Sequence, residues 1–318
     1  MKVLVTGGAG FIGSNLVELL RDEGHDVVVL DDLSSGYAEN LRDDVAFVQG
    51  DVSAPGVAAS AAAGCDVIFH LAASVGNTRS IDNPVRDSEI NVIGTLNVLE
   101  AARTHGIRRI VFSSSAGIFG ELKTLPIAED HPQDPDSPYG VSKLAAEKMC
   151  LVYNKLYGMR NVCLRYFNVY GVRQRYDAYG NVIPIFAERM LRHQDVTIFG
   201  DGEQTRDFVH ATDVARANYL AGTSADAAGV FNLGSATRIS INDLATMMAE
   251  EIGEPVNIVY GPPRPGDVRD SLATVEAARD AFGFTPMADL REGLRSYLSW
   301  LRTDAVTLAR WKISGPGA

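Results

Sequence analysis

The feature that most narrows what this chain can fold into is one turn. VTGGAGFIGSNL (5–16) places four glycines within seven residues, after the β-branched run KVLVTG (2–7) and at the head of a helix-like stretch over 11–23. Two spacings are satisfied together, Gly7-x-x-Gly10-x-x-Gly13 and Gly8-x-Gly10-x-x-Gly13. A strand that turns on glycines into a helix lets the backbone approach a pyrophosphate, and the helix N-terminus adds N–H groups and a favourable dipole. A glycine run by itself can equally be a plain turn, so the context matters. Asp31 ends the next β-branched run eighteen residues after Gly13. A carboxylate there accepts hydrogen bonds from a ribose 2′-hydroxyl and repels a 2′-phosphate. Asp32 follows and no arginine adjoins, so the expected cofactor is NAD rather than NADP.

The first half continues in the same rhythm. DVVVLDD (26–32), VAFVQGD (45–51), DVIFHLAA (66–73), RIVFSSS (109–115) and NVCLRYFN (161–168) read as buried strands, with helical stretches over 86–105 and 138–157 among them. This alternation predicts an α/β fold, a doubly wound parallel sheet of Rossmann type with helices on both faces. The second half is less regular. Apolar-periodic helices near 182–193, 213–221, 241–252 and 289–302 are interrupted by FGDGEQTRDF and GPPRPGDVRD. We expect an NAD-binding domain over 1–170, to which later segments return, a smaller α/β substrate-binding domain over 171–303, and a tail over 304–318.

The 318 residues are 46% hydrophobic and 22% charged, enough apolar material for a large core. A net charge of −11 argues against general nucleic-acid or anionic-membrane binding. No apolar run approaches the roughly 20 residues that span a bilayer. Strand-like sequence starts at Lys2, where a signal peptide would lie, so a cytoplasmic location is expected. Cys65, Cys150 and Cys163 are widely spaced among apolar neighbours and read as buried free thiols. Neither they nor the histidines have the spacing of a metal site.

Two further stretches carry chemistry. In SPYGVSKLAAEK (137–148) Ser137 can cap a helix that Pro138 opens. Tyr139 and Lys143 then share one helical face. They are either a surface tyrosine beside a solvated lysine or a proton-transfer pair, and the spacing alone leaves both open. FSSSAGIFG (112–120) follows a strand, and its hydroxyls, Ser115 first, fall at the carboxyl edge where doubly wound sheets bind ligands. A capped turn is the alternative.

Taken in order, the TGxxGxxG start, DD after the second strand, GDV (50–52), HLAA (70–73), NVIGTLNVLEAA (91–102), the SSSA strand, YxxxK and LRYFNVYG (164–171) resemble one family. It is the extended short-chain dehydrogenase/reductases and, within them, the NAD-dependent sugar-nucleotide epimerases. The resemblance implies Ser115, Tyr139 and Lys143 as catalytic residues. It implies cofactor contacts at Gly7, Gly10, Phe11, Ile12 and Gly13, and at Asp31, Asp32, Asp51 and Val52. Leu71, Ala72, Ala73, Asn91, Ser113 and Tyr166 complete that set with the Tyr139–Lys143 pair. For substrate it implies Ser115, Asn168, Arg206, Arg264, Asp267 and Ser271. The arginines and Asn168 would hold the diphosphate and Asp267 the nucleotide ribose, with Tyr179, Asn181 and Val182 as vaguer candidates. Free tyrosine titrates near 10, so bringing Tyr139 to about 7 takes a shift of roughly 3 units, or about 4 kcal/mol. Lys143 and a cationic nicotinamide would supply it, and Lys143 would also hold the nicotinamide ribose. Tyr139 would then take the sugar hydroxyl proton while hydride leaves the same carbon for NAD.

That oxidation opens epimerase, dehydratase and decarboxylase reactions alike. In the dehydratases and related UDP-glucuronate decarboxylases an acidic residue follows the catalytic Ser/Thr; here Ala116 and Gly117 follow, and no carboxylate occurs until Glu121. Gly117 and Phe119 also depart from a commoner threonine and tyrosine, which is expected to reshape the pocket around the sugar. In the galactose epimerases the residue seven after the first arginine of RxGD gates the space at sugar carbon 2. A tyrosine there restricts it and a small residue admits an N-acetyl group; here it is Ser271. RSIDNP (79–84) is likewise similar to enzymes of N-acetylated sugars. The expected function is carbon-4 epimerisation of a UDP-sugar, UDP-GlcNAc/UDP-GalNAc with UDP-Glc/UDP-Gal beside them. Thr78 or Arg79 facing a carboxylate would make the enzyme a UDP-glucuronate 4-epimerase. A non-catalytic NAD-sensing regulator is a third possibility, although such proteins typically lose the tyrosine or lysine. Helices over 88–105 and 138–157 resemble the pair that forms a four-helix homodimer interface.

Overall fold

The computed structural model describes residues 1–176, 181–263 and 268–313. The β-branched runs become strands β1 (Lys2–Thr6), β2 (Asp26–Asp31), β3 (Ala46–Gln49), β4 (Val67–His70), β5 (Ile110–Ser115) and β6 (Val162–Tyr166). Six further short strands and one returning strand follow: β7 (Asn168–Tyr170), β8 (Val196–Phe199), β9 (Thr205–Arg206), β10 (Phe208–His210), β11 (Gly229–Leu233), β12 (Ile239–Ser240) and β13 (Ile258–Gly261). One seven-stranded sheet runs β11-β6-β5-β4-β1-β2-β3, with every neighbouring pair parallel. Successive side chains point to opposite faces, and the inner strands are covered on both, so they are apolar over most of their length, whereas the edge strand β3 is largely exposed. Val3, Val5, Val29 and Phe69 face one core layer, while Leu4, Leu30, Ile68 and Phe112 face the other.

Helices cover both faces: α1 (Phe11–Asp22), α2 (Val57–Ala61), α3 (Asn77–Asp82), α4 (Pro84–Ser88), α5 (Thr95–His105) and α6 (Pro138–Tyr157) come from the first half. In the second half α7 (Val182–Leu191), α9 (Ile241–Ile252) and α11 (Leu290–Leu301) enclose a separate core with Tyr170, Phe186 and Met248. The remaining helices are α8 (Ala211–Thr223), α10 (Glu276–Phe282) and α12 (Ala305–Ile313). The minor strands pair β7 with β10, β8 with β13 and β9 with β12. All three cysteines are buried free thiols. Among the described residues no helix is long and apolar enough to cross a membrane, and no group of acidic, His or Cys side chains is placed to hold a metal.

Two expectations need correction and a third gains detail. The helix expected over 86–105 forms, its helical backbone passing from α4 through a π-turn over Glu89–Gly94 into α5. A π-turn accommodates an extra residue, and here it keeps Asn91 inside, where its carboxamide meets Ser74 and its carbonyl accepts from Thr95 Oγ1 at 2.6 Å. The strand expected over 161–168 ends at Tyr166; Phe167 then bonds to Leu233, and Asn168 starts β7 beside β10. The segment expected as a tail over 304–318 carries α12. It is tied down by Arg175, which donates to both Asp304 oxygens at 2.8 and 2.7 Å.

Candidate active site

Past the carboxyl ends of β1 and β4 lies a cavity of about 720 Å³. The chain leaves β1 towards β2 and returns on the other side as β4, so this is the topological switch point at which doubly wound sheets bind ligands.

One end of the cavity is built from backbone. Gly7 leaves β1 at φ +70°, and a Cβ there would come within 2.6 Å of the Ala72 nitrogen. A Cβ on Gly13 would overlap the Gly7 carbonyl. Gly10 caps α1 without a side-chain acceptor, leaving the N–H groups of the first turn for another partner. Gly7, Gly10, Phe11, Ile12 and Gly13 all line the cavity. Asp31 lines it too, fixed by hydrogen bonds from Ala9 N (3.0 Å) and Leu33 N (2.9 Å). Burial raises its pKa, and those N–H groups oppose the rise. Asp32 accepts from Ser34 N and Oγ, and Asp51 from Arg86 at 2.6 Å, with Val52 beside it in the wall. Leu71, Ala72 and Ala73 follow β4, held where Leu71 N and Ala72 N donate to Thr6. A glycine cradle at a helix N-terminus fits a pyrophosphate, and the Asp31 carboxylate fits a ribose diol.

The middle of the cavity holds the hydroxyls. β5 delivers Ser113 and Ser115 to the wall. α6 begins as its sequence dictates, with the Ser137 side chain accepting from Gly140 N at 3.2 Å and Pro138 in the first turn. That places Tyr139 and, one turn on, Lys143 in the same wall. Burial pushes the Tyr139 phenol above its ordinary value, while a hydrogen bond with Ser115 pulls it down. Burial also pushes the Lys143 ammonium down to about 8, opposed by nearby negative groups that include Asp87 and Glu147. Its Nζ sits 4.5 Å from the centre of the Phe112 ring. His70, behind this wall, is buried between Thr6 Oγ1 (2.7 Å) and Thr95 Oγ1 (3.0 Å), and burial pushes its pKa down to about 3.

At the far end Asn168, Arg206 and Ser271 line the cavity, as do Thr78, Arg79 and Asn181. Asn168 donates through Nδ2 to Asp207 O at 3.1 Å, and Ser271 N donates to Thr205 O at 3.2 Å. Arg264, Asp267 and Tyr179 lie outside the described residues, and Val182 is not in the wall.

Two of the sequence-predicted cofactor contacts are also tied into the scaffold. Asn91 stands behind the wall, its carboxamide committed to Ser74, Asp87 and Ser142. Tyr166 contributes its ring to the wall, but its hydroxyl turns into the core onto Asn218. Of the two departures, Gly117 does shape the cavity: a Cβ there would lie 3.3 Å from Ser115 Oγ and 3.6 Å from the Tyr139 ring. Phe119 does not, since it is buried against the Arg165 guanidinium and His131.

The sequence reading missed several residues. Gln174 and Arg175 line the cavity, and Gln174 Oε1 is buried without a protein partner. Asp207 is fully buried and gathers Ser235 N, Ser235 Oγ and Ala273 N, fixing the segment that carries Ser271. Asp87, Glu147 and Arg165 lie buried around α6. The available signal was a charged residue inside an apolar run, as in TRDFVH and CLRYF.

Residues 3–234 match the NAD dependent epimerase/dehydratase family. The UDP-glucose 4-epimerase of Mycolicibacterium smegmatis is 41% identical over 309 residues, covering 95% of this chain and 99% of that protein. The crystal structure of a UDP-glucose 4-epimerase from Thermotoga maritima with UDP-glucose is similar at a TM-score of 0.91 and 39% identity, over 95% of this chain and 99% of that one. A UDP-N-acetylglucosamine 4-epimerase from Methanobrevibacter ruminantium in complex with UDP-N-acetylmuramic acid is similar at a TM-score of 0.91 and 34% identity, over 95% and 98%.

Proposed function

The chain belongs to the NAD dependent epimerase/dehydratase family and is an NAD-dependent UDP-sugar epimerase, and on that premise we propose that it inverts carbon 4, with N-acetylhexosamines among its substrates. The observation that carries this reading is the meeting of Ser115, Tyr139 and Lys143 in one wall of a cavity whose other end is the glycine cradle. Ser115 orients the sugar 4-hydroxyl, and Tyr139, hydrogen-bonded to it, takes the proton. NAD held by the glycine cradle and Asp31 would supply the acceptor and donor for the carbon-4 hydride. Because burial, with the Asp87 carboxylate adding to it, holds the Tyr139 phenol above its ordinary value, forming the phenolate calls for positive charge nearby. Once the keto sugar has turned its other face towards the cofactor, Tyr139 returns the proton to the 4-oxygen as carbon 4 regains its hydride on that face, which completes inversion.

The wall beside Ser115 suits that outcome. Ala116 and Gly117 bring no carboxylate for an elimination, and Gly117 leaves space against Tyr139 in which a ring can turn. Support for N-acetylated sugars comes from Ser271, a small side chain in the substrate end of the wall, and from the likeness to a UDP-N-acetylglucosamine 4-epimerase. Thr78 and Arg79 in the same wall favour UDP-glucuronate as a second reading. Proton NMR of the purified protein with UDP-GlcNAc, UDP-Glc and UDP-GlcA in parallel, without added NAD, separates these. Conversion of UDP-GlcNAc to its 4-epimer is expected. Turnover of UDP-Glc alone refutes the Ser271 argument, turnover of UDP-GlcA alone selects the uronate, and no turnover even with NAD supplied refutes the assignment. The proposal includes a homodimer, because Ile93, Val141, Met149, Val152 and Leu156 expose apolar side chains on the π-turn and α6. Light scattering that returns the mass of a single chain refutes it.

A further inference from the structure

We propose that Arg175 and Asp304 are positioning residues of the cofactor site: together they fasten α12 to the glycine turn and to Asp31, so that the last helix of the chain governs how firmly NAD is held. The inference rests on the reading of the glycine turn and Asp31 as the seat of the cofactor, and it is independent of which UDP-sugar is turned over.

A series of hydrogen bonds runs unbroken from α12 to that seat. Asp304 accepts from Nε and NH2 of Arg175, and its Oδ2 also takes Thr307 N and Oγ1 at 2.9 and 2.7 Å, which caps α12. The third guanidinium nitrogen, NH1, donates to Asn40 Oδ1 at 3.0 Å. Asn40 Nδ2 donates to the Ala9 carbonyl at 2.8 Å, and Ala9 N donates to Asp31 Oδ2 at 3.0 Å. Ala9 stands between Gly8 and Gly10, so its peptide groups are those of the turn itself.

The surroundings hold this series in one geometry. Asp31 and Asn40 are buried, and the Arg175 and Asp304 side chains are 8% and 7% exposed, so little water can replace a broken bond. The guanidinium lies over Tyr37, 4.2 Å from the ring centre, and over Trp300 at 5.4 Å. Tyr37 N donates in turn to the Ala9 carbonyl at 3.0 Å. A Cβ on Gly36 would come within 2.9 Å of Asp31 Oδ1 and 3.0 Å of Ala9, so the segment that Arg175 grips rests directly on the seat. Arg175 also belongs to the walls of both the cofactor cavity and an outer one that Asn40, Trp300 and Asp304 line. Only a planar fork can meet Asp304 and Asn40 at once. The proposed inversion returns the hydride within one turnover, so cofactor exchange is not a step of the cycle and a seat clamped from outside is compatible with it.

The test follows release of NADH, by its fluorescence, from the loaded full-length protein after a chase of excess NAD, in the wild type, Asp304→Asn and Arg175→Lys. Asparagine at 304 still caps α12 but sets its amide against one guanidinium nitrogen, and lysine at 175 keeps the charge without the fork. Release is expected at least about fivefold faster in both variants, while in D304N the KM for a UDP-sugar, with NAD in excess, moves less than about twofold. Release as slow as in the wild type in either variant overturns the proposal. So does a KM that rises in step with release, the mark of a merely loosened fold. Coupling is reciprocal, so NADH must steady α12 in return. Hydrogen exchange of peptides within 305–313 of the wild type, which needs no variant, is expected to slow at least about fivefold when NADH is added to nucleotide-free protein. Exchange unchanged by NADH overturns the proposal. Asp31→Ala separates the two readings: NADH held as firmly as in the wild type refutes the seat and the proposal with it, whereas fast release from D31A beside wild-type release from D304N overturns the proposal alone.

Discussion

Replacing Glu147 with glutamine removes one charge and almost no volume, which makes it a clean test of the buried ion pair beneath the catalytic helix. Glu147 is 0% and Arg165 is 1% exposed. Arg165 donates through Nε to Glu147 Oε2 at 3.0 Å and through NH2 to Oε1 at 2.7 Å, and Ser114 Oγ donates to Oε2 at 2.7 Å. The remaining guanidinium nitrogen, NH1, donates to the Glu129 carbonyl at 2.7 Å. An amide at 147 leaves the Arg165 charge uncompensated and sets a donor against its donors. Removing one partner of a buried pair destabilises by about 3–5 kcal/mol. With 318 residues at about 2.1 cal/mol/K each, the unfolding entropy is near 0.67 kcal/mol/K, so a loss of about 4 kcal/mol lowers Tm by roughly 6 °C. Differential scanning calorimetry of E147Q measures this directly. Replacing both partners, Glu147→Leu with Arg165→Met, is expected to recover most of the loss, because apolar residues of similar volume carry no desolvation penalty. A fall in Tm below about 1 °C in E147Q, or a double variant no more stable than the single, refutes the reasoning.

Three further outcomes follow from the site. Tyr139→Phe keeps the ring in the wall and removes the acid–base group, so turnover of UDP-sugars falls by roughly 100-fold or more while NAD binding, followed by calorimetry, persists. Ser271→Tyr fills the substrate end of the wall; UDP-GlcNAc turnover is expected to fall at least tenfold relative to UDP-Glc, measured by NMR with both sugars present. His70 sets part of the acid stability. Its folded pKa is lowered to about 3 against an unfolded value of 6.5, so the unfolded chain takes up the proton first and stability declines as pH falls from 6.5 towards 3. His70→Gln flattens that window in a series of urea unfolding curves, and an unchanged slope between those pH values counts against the buried neutral imidazole.

What the sequence by itself determined was local. The strand, glycine turn and helix over 2–23 follow from φ and Cβ restrictions at Gly7 and Gly13, which act within a few residues. Helix 138–157 starts and stops where the sequence reading places it because Ser137, Pro138 and the left-handed Gly158 are short-range signals. Continuous β-branched runs, alternating with helical stretches, similarly point to strands covered on both faces of a parallel sheet. The tertiary structure decided what depends on residues far apart in the chain. The π-turn at Glu89–Gly94 is held by Ser74 and Ser142, which no local pattern around Asn91 reveals. Phe119 leaves the sugar pocket because Arg165, forty-six residues on, takes its face. The segment after Thr303 is anchored by Arg175, and β11 returns to pair with β6. The same holds for charge. A Tyr-x-x-x-Lys spacing sets a shared helical face, but burial settles which way each group's pKa moves, and for Lys143 the surrounding carboxylates oppose it. Caps, turns and periodicity act over one or two turns of chain, whereas desolvation and ion pairing exist only once the chain has closed around them.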